Sequence, residues 1–333
     1  MTVVHFLASK GRGGLESIFS DLCLALSAHV KLHVIVFKGS DVLSTLDNRV
    51  QIHLLSSYSS RINPLLYFEL FLLLKNIKPD LVHTHGAKAT EIMYHLSQIS
   101  FFKQIATKHN TRKGNIFNKI KYVTAVSMDV AKSIANDHVK IIYNGLTFQA
   151  IQEERTTHNR FTILAVGRLD KIKGFDILIK ECAKLKFDFL LQIIGEGEEK
   201  ISLQSLIDNF GLNEKVKLLG FRKDIPLMMH NSDVVVLSSY SEGFSLVMIE
   251  ALFYANSFIS TRVGGATEIL DSQFLINGRD VAEKITDVYL NYDLYKSDFM
   301  HLKKKLQKKF LLQNITEQYL NLYQKVLHEK KFK

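Results

Sequence analysis

Short runs of β-branched and apolar residues alternate along the chain with longer stretches whose apolar positions recur every three or four residues. The runs "VVHFLA", "VKLHVIVF", "DLVHTHG", "QIATKH", "YVTAVS" and "VKIIYNG" predict strands, with one helix from about Leu15 and another over residues 64–77. Strands that alternate with helices need right-handed crossovers and form a parallel, doubly wound sheet. "TFQAIQEERTTHNRF" is polar and aperiodic and reads as an interdomain linker. A second series then begins with "FTILAVGRL", "FDFLLQIIGEG", "VKLLGF", "SDVVVLSS" and "SFISTRVGG", each followed by a helical pattern. The prediction is an α/β chain of two Rossmann-like domains, residues 1–150 and 151–311, followed by a helix rich in lysine and leucine. Ligands of open α/β sheets bind beyond the carboxyl ends of the strands, so the site is expected in the cleft between the halves.

The length of 333 residues agrees with two cores rather than one. With 47% hydrophobic and 23% charged residues the chain can bury those cores, which excludes global disorder. Cys23 and Cys182 are its two cysteines, both in apolar helix-like patterns, so neither a disulfide scaffold nor a thiolate metal site is expected and a reducing, cytoplasmic setting is the default. "MTVVHFLASKGRGG" has no basic region ahead of its short apolar run, against the pattern of a signal peptide. The longest apolar stretch, "NPLLYFELFLLLKNIKP", contains Glu69 and is broken by Lys75, short of the about 20 residues a membrane crossing needs. The formal charge of +10 favours an anionic partner: nucleic acid, acidic lipid or a phosphorylated small molecule. The basic residues are scattered over both halves with no nucleic-acid module among them, so no nucleic-acid partner is expected.

The most specific stretch is "SYSEGFSLVMIEAL", where Glu242 and Glu250 flank a glycine turn and the start of an apolar helix. Gly243 lets backbone approach a ligand, and the amides of Phe244, Ser245 and Leu246 are expected to form an anion site at the helix start. If all eight steps were helical the carboxylates would stand roughly 12 Å apart at about 1.5 Å per residue, and otherwise if Glu242 lies in the loop. A diphosphate fits such a gap, with one carboxylate free for sugar hydroxyls and the other for a ribose. In "AVGRLDKIKGFDILI", Arg168 follows a strand and Lys173 precedes a helix. A guanidinium fork and an ammonium there could neutralise a pyrophosphate and stabilise it as it departs.

Other motifs narrow the choice. "KGRGGLE" lacks the G-x-G-x-x-G spacing of a dinucleotide fingerprint, and Gly13 and Gly14 are better suited to bring backbone amides against a phosphate or sugar. "HTHG" places His83 and His85 on one side of a strand end, with no obvious third metal ligand. The chain contains no Asp-x-Asp, the usual carboxylate clamp for a divalent cation on a nucleotide-sugar diphosphate, so no metal site and metal-independent chemistry are expected. "KHNTRKGNIFNKIKYV" interleaves basic residues with Ile116, Phe117 and Ile120, as a segment lying on anionic lipid would, or a solvated basic loop.

"GRLDKIKG", "IIGEGEE", "VKLLGFRKDIP", "SDVVVLSSYSEGFSLVMIEAL" and "STRVGGATEIL", in this order and spacing, resemble the donor-binding half of retaining GT-B glycosyltransferases of the family-4, group 1 type. The two glutamates match that family's E-x7-E motif, and "GRGGLESIFSDLCLAL", "KPDLVHTHG", "TKHN" and "IIYNGL" have counterparts in its acceptor half. The resemblance implies that Arg168 and Lys173 grip the donor's diphosphate, that Glu250 holds the ribose and that Glu242 binds the transferred sugar. It further implies that Phe221 and Arg222 lie near the base and that His109 contacts the sugar near the reacting carbon. The donor implied is a nucleotide-diphosphate sugar, a UDP-sugar being favoured, with no cofactor. The implied acceptor is a hydroxyl of a glycan or glycolipid, with retention of configuration; an anionic membrane surface as a further partner rests on the basic segment above. In the family the last helix returns to the first lobe, so residues from about 312 are expected there. Rival readings are a GT-B sugar-nucleotide epimerase and a basic nucleic-acid-binding protein.

Overall fold

The computed structural model describes residues 1–329 except 10, 12, 58, 59, 101, 157, 158 and 279. The chain divides into two compact units: Met1–Thr147 together with the stretch from Phe310 onward, and Phe148–Lys309. The first contains a parallel sheet of β1 (Thr2–Leu7), β2 (Lys31–Phe37), β3 (Gln51–Leu55), β4 (Leu81–His85), β5 (Lys103–Lys108), β6 (Tyr122–Ala125) and β7 (Val139–Ile141). Its strand order is β3-β2-β1-β4-β5-β6-β7, which reverses direction between β1 and β4. Alternate residues of each strand point to opposite faces. Val3 and Leu7 pack with the helices Gly14–Ser27 and Leu312–His328, whereas Val4 and Phe6 pack with Pro64–Ile77 and Gly86–Ser97.

The return of the chain to this unit is a backbone arrangement. Leu146 N–H donates to Phe310 O at 2.9 Å and Leu312 N–H to Leu146 O at 2.9 Å. Gly145 permits it, because a Cβ there would lie 2.9 Å from Leu312 Cα. From that anchor Ile315, Tyr319, Leu322, Tyr323 and Val326 are buried against Phe19, Leu22, Cys23 and Leu26.

The second unit is a parallel sheet of β8 (Phe161–Val166), β9 (Phe189–Ile194), β10 (Val216–Gly220), β11 (Val234–Leu237), β12 (Phe258–Thr261) and β13 (Leu275–Ile276). Its order, β10-β9-β8-β11-β12-β13, reverses between β8 and β11. Both units are therefore doubly wound, the α/β architecture that the alternation of runs predicts. β11, buried at all four positions, shows why such strands read as continuous apolar runs rather than alternating ones. The predicted linker is irregular in its described residues; Arg155 pairs with Asp233 and Thr156 N–H donates to Asn231 Oδ1 at 3.0 Å, tying it to the second unit. Residues 157 and 158 of that stretch lie outside the described residues.

Candidate active site

In a doubly wound sheet the strand ends on either side of the order reversal splay apart and leave room for a ligand. In the second unit these are the ends of β8 and β11, and Arg168 and Glu242 follow them. After β8 the chain turns through a short 3-10 helix, Lys171–Lys173, capped by the Asp170 carboxylate, which accepts from Lys173 N–H at 3.2 Å. The same carboxylate accepts from Arg168 Nε at 2.8 Å. Gly174 ends the turn at φ +66°, and a Cβ there would lie 2.3 Å from Ser238 O. Tyr240 N–H donates to Ile172 O at 2.8 Å and Ser238 Oγ to Lys173 O at 2.9 Å, so the Lys173 turn is fastened to the end of β11.

The side chains converge as well. Lys173 Nζ lies 2.6 Å from Glu242 Oε1, and Ser239 Oγ donates to that oxygen at 2.7 Å. The lysine stem runs over Gly167, where a Cβ would be 3.3 Å from Lys173 Cδ. Glu242 stands in the loop, and the helix that follows is Leu246–Tyr254 with Ser245 at its N-cap. The all-helical spacing between Glu242 and Glu250 therefore does not hold; Glu250 lies on the helix, partly buried, four residues after its start. The helix amides without an intrahelical acceptor are those of Leu246, Val247 and Met248, two positions on from the expected trio, of which Leu246 is retained while Phe244 and Ser245 precede the helix. Gly264 and Gly265 clamp the loop from β12: a Cβ on Gly264 would lie 2.4 Å from Glu242 O, and one on Gly265 would lie 2.1 Å from the Phe244 ring. Thr261 Oγ1 donates to Ser239 O at 2.6 Å. Gly243 thus sits in a loop whose shape is set from two neighbouring strands.

Arg168, Lys173, Glu242 and the helix start form one cluster, with Asp170 as the link to Arg168. Its charged side chains are two cations and two carboxylates, which cancel. Donors nevertheless remain: an ammonium carries three N–H bonds and a guanidinium five. Glu242 uses one of the former, while Asp170 uses Nε and Nη2 of Arg168, whose side chain is 63% exposed. Glu242 Oε2 takes no bond among the described residues. Gly220 at φ +68° ends β10, and its carbonyl accepts from Gly195 N–H at 2.8 Å. Phe221 beyond it is half exposed, while Arg222 pairs with Asp224. These two follow β10, which lies on the far side of β9 from β8.

The remaining candidates belong to the first unit. Gly13 and Gly14 begin the helix Gly14–Ser27 just after β1, beside the reversal of that sheet; Lys10 and Arg12 of the same loop lie outside the described residues. His109 follows β5, and its Nε2 lies 3.2 Å from His85 Nδ1. Burial pushes its pKa down to about 4. A third histidine joins the "HTHG" pair, contrary to expectation: His5 on β1 is in register with His83 on β4. His5, His83 and His85 each bring a nitrogen within 4.8 Å of the others, the one group of described residues that could hold a metal ion in this way. The signal was available, since the doubly wound order puts "VVHFLA" beside "DLVHTHG".

In the basic segment over residues 108–123 two of the three apolar residues expected to meet lipid turn inward, and Ile116 is partly buried. Phe117 and Ile120 are buried, Lys108 is buried with Nζ donating to Ser133 Oγ at 2.8 Å, and Lys121 pairs with Glu329. Its apolar residues went to the core because the segment crosses between β5 and β6. Exposed apolar side chains are found instead on the helix Pro64–Ile77, whose inner face buries Leu66, Leu70 and Leu74 while Leu65, Phe68 and Leu72 stay outside. Among the described residues no helix is long and apolar enough to cross a membrane.

Two doubly wound sheets, one with a cation–carboxylate cluster and a helix start at its reversal point, define a Rossmann-type protein. The model of the family "Glycosyl transferases group 1" matches residues 148–297, and that of "Glycosyltransferase Family 4" matches residues 12–149. The chain belongs to the group 1 glycosyltransferases and has the GT-B fold. It is 29% identical, over 81% of its length and 83% of the relative's, to the N-acetylgalactosamine-N,N'-diacetylbacillosaminyl-diphospho-undecaprenol 4-alpha-N-acetylgalactosaminyltransferase of Campylobacter jejuni. It is 23% identical to the N-acetyl-alpha-D-glucosaminyl L-malate synthase of Bacillus anthracis, over 76% of each chain. The solved structure of Anabaena Alr3699/HepE in complex with UDP-glucose matches with a TM-score of 0.85 at 21% identity, over 98% of this chain and all of that one.

Proposed function

We propose that this glycosyltransferase moves a sugar from a nucleotide-diphosphate sugar, a UDP-sugar being favoured, to a hydroxyl of a glycan or glycolipid, with retention of configuration and without a divalent metal. The observation that carries the reading is the convergence of Lys173, Glu242 and the start of the helix Leu246–Tyr254 at the reversal point of the second sheet. Negative charge builds on the diphosphate as the glycosidic bond breaks. The spare N–H groups of Lys173 and Arg168 and the amides of Leu246, Val247 and Met248 are held in place before the reaction, so they stabilise that charge with little reorganisation. They supply the stabilisation that a cation bridging the phosphates provides in metal-dependent transferases. Glu242 Oε2 accepts from a hydroxyl of the transferred sugar, Glu250 from the ribose, and His109 serves the transfer step. The relative's diphospho-undecaprenol substrate and the UDP-glucose of the Anabaena complex support the acceptor and donor classes.

The acceptor class brings a surface with it. Ile62, Leu65, Phe68 and Leu72 form an exposed apolar stripe, Ile62 being 89% exposed. At its start a depression of about 420 Å³ is lined by Arg61, Lys113 and Lys119 together with Glu91 and Tyr94. Apolar residues rimmed by cations suit the interface of an anionic bilayer, each cation adding about 1 kcal/mol near the surface. The protein then works on the cytoplasmic face of a membrane as a peripheral enzyme.

A thermal-shift panel of nucleotide sugars tests the donor, since a ligand at about 100 times its Kd adds roughly 2.7 kcal/mol of stability. Release of nucleoside diphosphate that depends on added acceptor separates transfer from epimerisation. No shift with any nucleotide sugar, or release independent of acceptor, contradicts the reading. Proton NMR of the product's anomeric centre decides the stereochemistry.

A further inference from the structure

The register of the first sheet lines up four histidines. His5 is paired with His83 across β1 and β4, and His85 with Thr107 across β4 and β5, all of them on the face that meets the helices Gly14–Ser27 and Leu312–His328. A continuous row of hydrogen bonds runs through them. His109 Nε2 is 3.2 Å from His85 Nδ1, and His85 Nε2 is 3.2 Å from His5 Nδ1. His5 Nε2 is 3.0 Å from the Tyr323 hydroxyl, which is 2.7 Å from His83 Nδ1. His83 Nε2 is 2.6 Å from Thr107 Oγ1, itself 2.6 Å from Thr124 Oγ1. His5, His83, His85, Thr107 and Tyr323 are all buried.

Each of the three inner rings uses both its nitrogens. A neutral imidazole has one N–H and one lone pair, and a hydroxyl has one hydrogen to give. The directly linked rings His109, His85 and His5 must therefore donate in the same sense, while a hydroxyl, with two lone pairs, can also accept from both sides. One ring turned the wrong way would set N–H against N–H at one link and lone pair against lone pair at the other, and in a low-dielectric interior neither fault is made good by water. On the His109 side of Tyr323 the rings must agree: His109, His85 and His5 all carry hydrogen on Nε2, or all carry it on Nδ1, whereas His83 is released from them when the Tyr323 hydroxyl accepts from both sides. The tautomer of His109 is thereby coupled to those of His85 and His5.

We infer that His85, His5 and Tyr323 are positioning residues which hold the orientation of His109 and couple its tautomer to their own through this row. The inference rests on the proposed part of His109 in transfer, and it extends that part to residues that make no contact with a substrate. It also gives the C-terminal helix a functional task, because Tyr323 supplies the hydroxyl joining His5 to His83. The same nitrogens are the only described group with metal-ligand spacing, but an ion there would have to take them from Tyr323, Thr107 and one another.

The test reads imidazole ¹⁵N shifts of the uniformly labelled full-length protein near neutral pH and needs no mutation. The expected spectrum has His5, His83, His85 and His109 neutral, with His5, His85 and His109 in one common tautomer. Mixed tautomers among those three, or a stoichiometric metal ion retained by the protein as purified, overturn the inference. A kinetic arm follows the row to the reaction. His85→Phe breaks the link beside His109 and is expected to lower turnover about twofold to tenfold, as the competent tautomer becomes a fraction of the population. Nucleotide affinity stays unchanged, and His85→Gln, which keeps a donor and an acceptor, recovers most of the loss. Equal turnover of His85→Phe and wild type, in a protein where His109→Ala is impaired, also overturns the inference. Full turnover in His109→Ala would instead remove His109 from the transfer step, whatever the tautomers show.

Discussion

Lys173 and Glu242, 69 positions apart in the chain, meet with Nζ 2.6 Å from Oε1. The pair joins the turn after β8 to the loop after β11, and Ser239 donates to the same carboxylate oxygen. In the proposed reading the ammonium meets the diphosphate with its position already set. The carboxylate is fixed by two donors on one oxygen, and the proposal gives the other to a sugar hydroxyl.

The first prediction follows from that coupling. Lys173→Ala should weaken nucleoside diphosphate binding and Glu242→Ala should chiefly lower turnover. Because each variant also releases the partner, the loss of kcat/KM in the double variant should fall short of the sum by about 0.5–3 kcal/mol. Initial rates of the four proteins complete the cycle, and additive losses would show that the ion pair has no functional role.

The clamp on the Glu242 loop should be as sensitive as the charges. Gly265→Ala sets a methyl 2.1 Å from the Phe244 ring, and the ring or the loop must move. A cost of about 1–3 kcal/mol is expected from such overpacking, with donor affinity falling alongside. Thermal unfolding and a UDP titration of the same preparation check it; unchanged affinity would mean that the loop's shape does not matter to the donor.

Much of this was readable beforehand, and the failures have physical causes. Eleven strands are visible as apolar runs because parallel strands are covered on both faces. β3 carries no such run because "QIHLL" sits at a sheet edge, where one side is less buried and polar residues are tolerated; β13 has two residues and no pattern to detect. The Arg168, Lys173 and Glu242 cluster could be inferred since each residue adjoins a strand end or a helix start. Asp170 ahead of "KIKG" has the place of a cap, a signal the sequence also carries, and of the two spacings open for Glu242 and Glu250 the structure has the one with Glu242 in the loop. The buried histidine row depends on register across strands up to 80 residues apart, and on a tyrosine over 200 residues further on. Local pattern does not carry that information.

Acid should unfold the first unit steeply. Burial pushes His5 down to about 3 and His109 to about 4, and it holds His83 and His85 well below the ordinary value, with neighbouring histidines adding to the effect. Unfolded histidine titrates near 6.5, so below that pH the unfolded chain binds more protons than the folded one. The stabilisation is complete above about pH 6.5 and is lost as pH falls toward about 4 and then 3, each group contributing up to about 1.4 kcal/mol per pH unit. Calorimetric midpoints should be level from about pH 7 to 8 and drop below about 6 more steeply than a single group allows. A slope of one group or less would contradict the buried neutral row.

The exposed stripe gives a separable prediction. Leu65→Ser with Phe68→Ser should reduce sedimentation with vesicles of acidic phospholipid, while leaving UDP affinity and the melting profile as in wild type, because neither side chain supports the core. Equal vesicle binding by the double variant would assign membrane attachment elsewhere.

The central claim is that a nucleotide diphosphate is received by Lys173 and Glu250 at the ends of β8 and β11. Titration calorimetry with UDP on the full-length wild type, Lys173→Ala and Glu250→Ala addresses it most directly. One site is expected in the wild type, with affinity at least about tenfold weaker in each variant, a loss of about 1.4 kcal/mol or more. Wild-type affinity in both variants, with the fold intact, would contradict it.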